Sequence, residues 1–69
     1  MLKSNLRVIM AKRKIDSITE LIELSGLSRN AINKIYKEEK IEASSLETFI
    51  KLCNALNCKL SELIEYIPD

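Results

Sequence analysis

The stretch SITELIELSGLSRNAINKIYK, residues 17–37, decides the fold. Ser17 and Glu20 have the S-x-x-E spacing of a capping box, in which the hydroxyl takes an orphan amide and the carboxylate reaches back. A helix therefore opens at Ser17, with Leu21 and Ile22 on its inner face. Gly26 ends it, because glycine enters the left-handed conformation at a helix C-terminus without steric cost. Leu27 turns inward, and Ser28 is a favourable N-cap for a second helix, Arg29 to Lys37, whose Ile32 and Ile35 face in. Two helices crossing steeply through a three-residue turn need an apolar residue in the first helix, a turn residue tolerant of positive φ, and an apolar residue facing back from the second. Leu21, Gly26 and Ile32 fill these places. Such packing leaves the N-terminal end of the second helix projecting outward.

The outward face suits double-stranded DNA. Arg29 has the geometry for paired hydrogen bonds to guanine O6 and N7, and Asn30 or Asn33 for the equivalent pair on adenine. Lys34 and Lys37 reach phosphates or guanine. The N-termini of both helices offer free amides and a positive dipole end to phosphate, with Ser17 and Ser28 adding hydroxyls. The same side chains also fit an ordinary solvated helix face, and helix-turn-helix units occur in domains that bind only proteins.

Outward from this unit, helical spacing predicts a first helix over Asn5–Lys14, with Leu6, Ile9 and Met10 on one face and Arg7 and Lys14 on a second, basic one. A charged connection runs from Lys37 to Ala43. Ser44 and Glu47 form another capping box and open a fourth helix, whose stripe of Leu46, Phe49, Ile50, Cys53 and Leu56 marks it as the central core helix. Asn57 and Cys58 break it. A fifth helix is expected over Leu60–Tyr66, with Leu60, Leu63 and Ile64 buried, and Pro68 rules out much further helix. Leu24, three past Leu21, is expected to lie partly buried beside the first helix, the alternative being an exposed apolar contact. With one Gly and one Pro in 69 residues, the expectation is a single all-α domain spanning 1–69, a compact five-helix bundle with short connections.

Composition narrows the function classes. The chain is 46% hydrophobic and 30% charged, and no apolar run reaches the roughly 18 residues a membrane span needs. Basic residues from Lys3 to Lys14 interrupt any secretory leader, so a cytoplasmic protein is expected. The net charge is +1, yet residues 1–40 carry +4 and the remainder −3, so the N-terminal half is the one fitted to meet a polyanion. Cys53 and Cys58, with no histidine, cannot complete a four-ligand zinc site in one chain and read as small apolar groups. No metal, cofactor or small-molecule effector is implied. Without a histidine, a Gly-rich phosphate loop or paired carboxylates in an evident cleft, no catalytic residue is assigned.

Residues 17–35 resemble the helix-turn-helix of the Cro/lambda-repressor-type (Xre-like) DNA-binding domains, most specifically in the segment G-L-S-R-N-x-I. SSLETFIKLCNALNC, residues 44–58, is similar to that family's fourth helix, and LSELIEY, residues 60–66, to its fifth. The resemblance implies a bundle of five helices that binds operator DNA, usually as a dimer, and regulates transcription. It places Arg29 and Asn30 at the first exposed, base-reading positions of the recognition helix, Asn33 and Lys34 one turn later, and Ser28 at the cap near the DNA backbone. Three departures stand out. Ile18 replaces a frequent Gln, which removes a phosphate contact or a brace for the recognition helix. Ile22 replaces a common Ala, which spreads or repacks the two helices. Glu38 replaces the usual Gly after the recognition helix, setting two acids, Glu38 and Glu39, where they weaken binding to the expected DNA backbone, or else shape the loop or favour a protein contact.

The reading is a sequence-specific regulator of bacterial or phage origin, a repressor, forming a homodimer on its operator with half-sites about one helical turn (~34 Å) apart. Leu60, Ile64, Tyr66 and Ile67 are either its dimer surface or simply the closure of the monomer core. The alternative is a non-catalytic protein-interaction module, antirepressor or antitoxin-like, that keeps the fold.

Overall fold

The computed structural model describes residues 1–68. Five α-helices follow in order: α1 (Leu6–Lys12), α2 (Ile18–Ser25), α3 (Arg29–Tyr36), α4 (Leu46–Leu56) and α5 (Leu60–Leu63). Two three-residue strands, β1 (Leu2–Ser4) and β2 (Ile64–Tyr66), flank them. The strands pair antiparallel, with Lys3 opposite Glu65, and so join the two ends of the chain. The pairing continues one step further, where the Ile67 amide donates to the Met1 carbonyl at 2.8 Å. The radius of gyration, 11.0 Å, is that of a compact chain of this length.

Each helix start uses a hydroxyl where the sequence supplies one. The oxygens of Ser17, Ser28 and Ser45 accept the amides of Glu20, Ala31 and Thr48 respectively. At Ser17 this is the cap half of the expected box. For α4 the cap is Ser45, not the expected Ser44. The two serines are adjacent, and the later start puts Thr48 at the third helical position, where its hydroxyl also lies 3.1 Å from that of Ser45.

Helix ends follow one pattern with different residues. Gly26 has a φ of 73°. Lys14, Glu38 and Asn57 adopt the same left-handed conformation after α1, α3 and α4. At each of these three ends the following amide reaches back five residues: Ile15 to Met10, Glu39 to Lys34 and Cys58 to Cys53. This is the Schellman arrangement, which satisfies carbonyls the helix leaves orphaned. Because Lys14 turns the chain this way, α1 stops at Lys12, earlier than expected, and Ile15 folds into the core.

The core is drawn from every helix. Leu6, Ile9 and Met10 of α1, Leu21 of α2, Ile32 and Ile35 of α3, and Leu63 of α5 are buried as the spacing predicts. Among the described residues no buried side chain is polar or charged, and no buried side-chain polar atom lacks a partner. The connection after α3 contributes Ile41, buried in a short 3-10 turn (Ile41–Ala43).

Several expectations are corrected. The inner face of α4 is Phe49, Leu52 and Leu56, with Cys53 half-buried, while Leu46 and Ile50 are 63% and 50% exposed. The helix carries two overlapping apolar stripes, and the one through Leu52 faces α2 and α5. The segment after Leu63 is a strand, not the end of α5, because β1 supplies its hydrogen-bond partners. Leu60 consequently sits on the outer side of a one-turn helix and is exposed. Leu24 is 54% exposed, not partly buried beside α1.

Candidate nucleic-acid interface

The candidate surface is built on α3. Ile32 and Ile35 are fully buried, and this anchors the helix by one ridge and fixes which side chains remain outside. Arg29, Asn30, Lys34 and Lys37 are exposed, and Asn33 is half-buried beside them. Ser17 and Ser28 are exposed at the N-termini of α2 and α3. Their oxygens are occupied as caps, but each hydroxyl hydrogen is left for an outside acceptor. The amides of Ile18 and Thr19 on α2, and of Arg29 and Asn30 on α3, lie in first turns where a helix has no internal acceptor. Amides, hydroxyls and cationic side chains are thus arrayed on one helix-turn-helix, and all of them are donors. Such a set suits phosphate oxygens and the acceptor-rich edge of guanine.

Three contacts hold α3 in place, none visible in the spacing. Arg29 Nη2 donates to Thr19 Oγ1 of α2 at 3.1 Å. The recognition helix is therefore braced from α2 although Ile18, half-buried against the core, cannot do it. Position 18 itself supplies no brace, and Thr19, one residue further along α2, makes the contact instead. At the other end, Arg7 of α1 stacks its guanidinium 4.4 Å from the centroid of the Tyr36 ring and donates from Nε to the Tyr36 carbonyl at 3.3 Å. A cation on the last carbonyls of a helix suits the negative end of its dipole.

The third contact concerns Glu38. Its φ of 56° explains why glycine would suit this place. Its Oε1 accepts the Ser4 amide of β1 at 2.9 Å, so the carboxylate ties the end of α3 to the terminal sheet. Of the three roles open to it, shaping the loop is the one the geometry supplies.

The cysteines lie away from this surface. Cys53 and Cys58 are free thiols and half-buried, at the two positions whose side chains touch in a Schellman ending. Burial, and next the neighbouring Cys53, push the Cys58 thiol up to about 11. A thiol held protonated is a poor nucleophile. Arg13 closes the same end of α4, with Nε and Nη2 donating to the carbonyls of Leu56 and Asn57 at 2.7 and 2.9 Å. Among the described residues no group of three or more His, Cys, Asp or Glu is placed to hold a metal ion, and no helix is long and apolar enough to cross a membrane.

A short capped helix, a left-handed turn and a second helix presenting donors define a helix-turn-helix DNA-binding domain. Residues 5–69 match the model of the Cro/C1-type HTH DNA-binding domain, and the chain belongs to that family. It is also 38% identical over 65 residues to a protein of Bacillus subtilis (strain 168) whose name is "Uncharacterized HTH-type transcriptional regulator YozG". The match spans 94% of this chain and 75% of that relative.

Proposed function

We propose that the chain is a sequence-specific transcriptional repressor that binds an operator in double-stranded DNA. The observation that carries this reading is the α3 face itself: Arg29, Asn30 and Lys34 stand exposed on a helix anchored by two fully buried isoleucines. Arg29 and Asn30 read bases in the major groove, Asn33 and Lys34 add a second contact one turn on, and Lys37, Ser17 and Ser28 fix register on phosphates. Repression by occupancy needs no contact beyond those with DNA. The reading is of a single, non-catalytic cytoplasmic domain that needs no cofactor, metal or small-molecule effector.

One recognition helix makes few contacts, so the operator-bound form is a homodimer. β2 supports a surface for it. Its inner edge pairs with β1, while Tyr66 on the strand is 68% exposed, and Ile67 and Leu60 are exposed as well. Sedimentation of the chain with and without operator reads the assembly directly, and Tyr66→Glu should reduce the operator-bound dimer to monomer. Unchanged sedimentation of that variant on operator would remove β2 from the dimer surface.

Selection from random duplex DNA tests the main reading. A consensus should emerge that weakens with Arg29→Ala and with Asn30→Ala, each at its own base position. Affinity for random DNA should fall steeply with salt as counterions are released. The protein-interaction alternative is favoured by one observation, the exposed apolar pair Leu46 and Ile50 on α4. Absence of any DNA affinity at low salt would establish it over the repressor reading.

A further inference from the structure

Among the described residues, Thr19 makes the one side-chain hydrogen bond between α2 and α3. Its Oγ1 accepts from Arg29 Nη2 at 3.1 Å. Both residues are exposed, so the bond is not forced by packing. Arg29 is the first residue of α3 and Thr19 the second of α2. The bond therefore links the leading ends of the two helices across the outer face of the unit.

The donor inventory shows what this bond can do. A guanidinium has five N–H groups in a planar fork, and guanine O6 and N7 use two of them. Giving one N–H to Thr19 leaves enough donors for the base and fixes the plane in which they lie. Free arginine has about 2 kcal/mol of rotamer entropy to lose on ordering, and a bond already made in the free protein removes part of that loss. The threonine oxygen acts as acceptor, so its own hydrogen is left to point outward. It lies on the first turn of α2, beside the orphan amides of Ile18 and Thr19, where a phosphate oxygen is the natural acceptor.

We infer that Thr19 is a specificity-determining positioning residue: it orients Arg29 for guanine and couples that base contact to a DNA phosphate through its own hydroxyl. The inference rests on the DNA-reading role of Arg29 proposed above. It places Thr19 in the interface, a position that the capping and spacing signals of the sequence do not mark.

The test uses the full chain and the operator it selects, with Thr19→Val (same shape, no hydroxyl), Thr19→Ser (hydroxyl kept), Arg29→Ala and the Arg29→Ala/Thr19→Val double variant. Loss of one oriented hydrogen bond predicts that Thr19→Val weakens operator binding about three- to tenfold. The lost discrimination should be confined to the base pair that Arg29→Ala also relaxes. Affinity for random duplex DNA should fall less, about twofold, since a single phosphate contact is removed. Thr19→Ser should restore most of the operator affinity, and in the Arg29→Ala background Thr19→Val should add only the small non-specific loss.

Equal losses on operator and random DNA would reduce Thr19 to a phosphate contact and overturn the inference. Unchanged or tighter operator binding by Thr19→Val would do the same, as would full additivity with Arg29→Ala. Thermal melts of all four variants separate these outcomes from misfolding, and Thr19→Ser serves as the variant that keeps the helix and the hydroxyl. If the unaltered chain selects no consensus at all, the DNA-reading role of Arg29 falls first and takes the inference with it. A wild-type consensus that survives Thr19→Val unaltered sinks the inference alone.

Discussion

Glu38 sets two effects of similar size against each other. Its left-handed φ of 56° costs a residue with a β-carbon about 1 kcal/mol relative to glycine. Its carboxylate accepts the Ser4 amide at 2.9 Å, an exposed bond that contributes about 1 kcal/mol net. Glu38→Ala keeps the unfavourable backbone and loses the bond, so stability should fall by about 1 kcal/mol. Glu38→Gly loses the bond but relieves the backbone. The two terms nearly cancel, and the greater freedom of glycine in the unfolded chain takes back about 0.5 kcal/mol. Glu38→Gln keeps a neutral acceptor and should lie between the alanine variant and the parent. In a chain this small, 1 kcal/mol moves the melting temperature by about 4–8 °C. Urea unfolding followed by circular dichroism gives the order directly: parent, then Gly and Gln close together, then Ala. A glycine variant less stable than the alanine one would refute the backbone half of the reasoning. An alanine variant as stable as the parent would refute the hydrogen-bond half.

Gly26→Ala should cost about 1–2 kcal/mol through φ alone, because a β-carbon there meets nothing within 4 Å; a loss above about 3 kcal/mol in the same assay would mean that a steric contact had been missed. Leu52→Ala, at a fully buried site, should cost about 2–5 kcal/mol and leave much of the protein unfolded. Leu46→Ala should stay within about 0.5 kcal/mol, and reversal of that pair would show that α4 is rotated from the orientation described. The raised Cys58 thiol binds its proton more tightly in the folded chain than in the unfolded one. Its contribution to stability is therefore full below pH 9 and is lost as pH rises towards 11. Cys58→Ala should flatten that part of the stability profile, and no difference between the two profiles would show that the folded thiol is unshifted.

The helix-turn-helix was legible because its signals are local. Ser17, Gly26 and Ser28 act on amides and dihedral angles within a few residues, and Leu21, Ile32 and Ile35 recur with the helical period. The donors on α3 were legible for the same reason: once Ile32 and Ile35 are inside, Arg29, Asn30 and Lys34 have nowhere else to be. Local signals misled where two answers satisfied them equally. Ser44 and Ser45 are both three residues ahead of a possible partner. In α4 the stripe through Leu46 and Ile50 is as apolar as the one through Leu52, and only the positions of α2 and α5 choose between them.

By itself, then, the sequence determined the five helices, the turn at Gly26 and the charged face of the recognition helix, since periodicity, capping and glycine's freedom act within one or two turns. Tertiary structure alone decided the rest. Residues 64–66 become a strand because β1, some sixty residues earlier, offers its backbone. Glu38 becomes a tie and not a free charge because the Ser4 amide comes within 2.9 Å. The brace on Arg29 moves to Thr19 because the crossing of α2 and α3 brings that hydroxyl, and not the side chain of Ile18, to the guanidinium. Each is a contact between different elements, and such contacts exist only once the core has fixed where the helices lie.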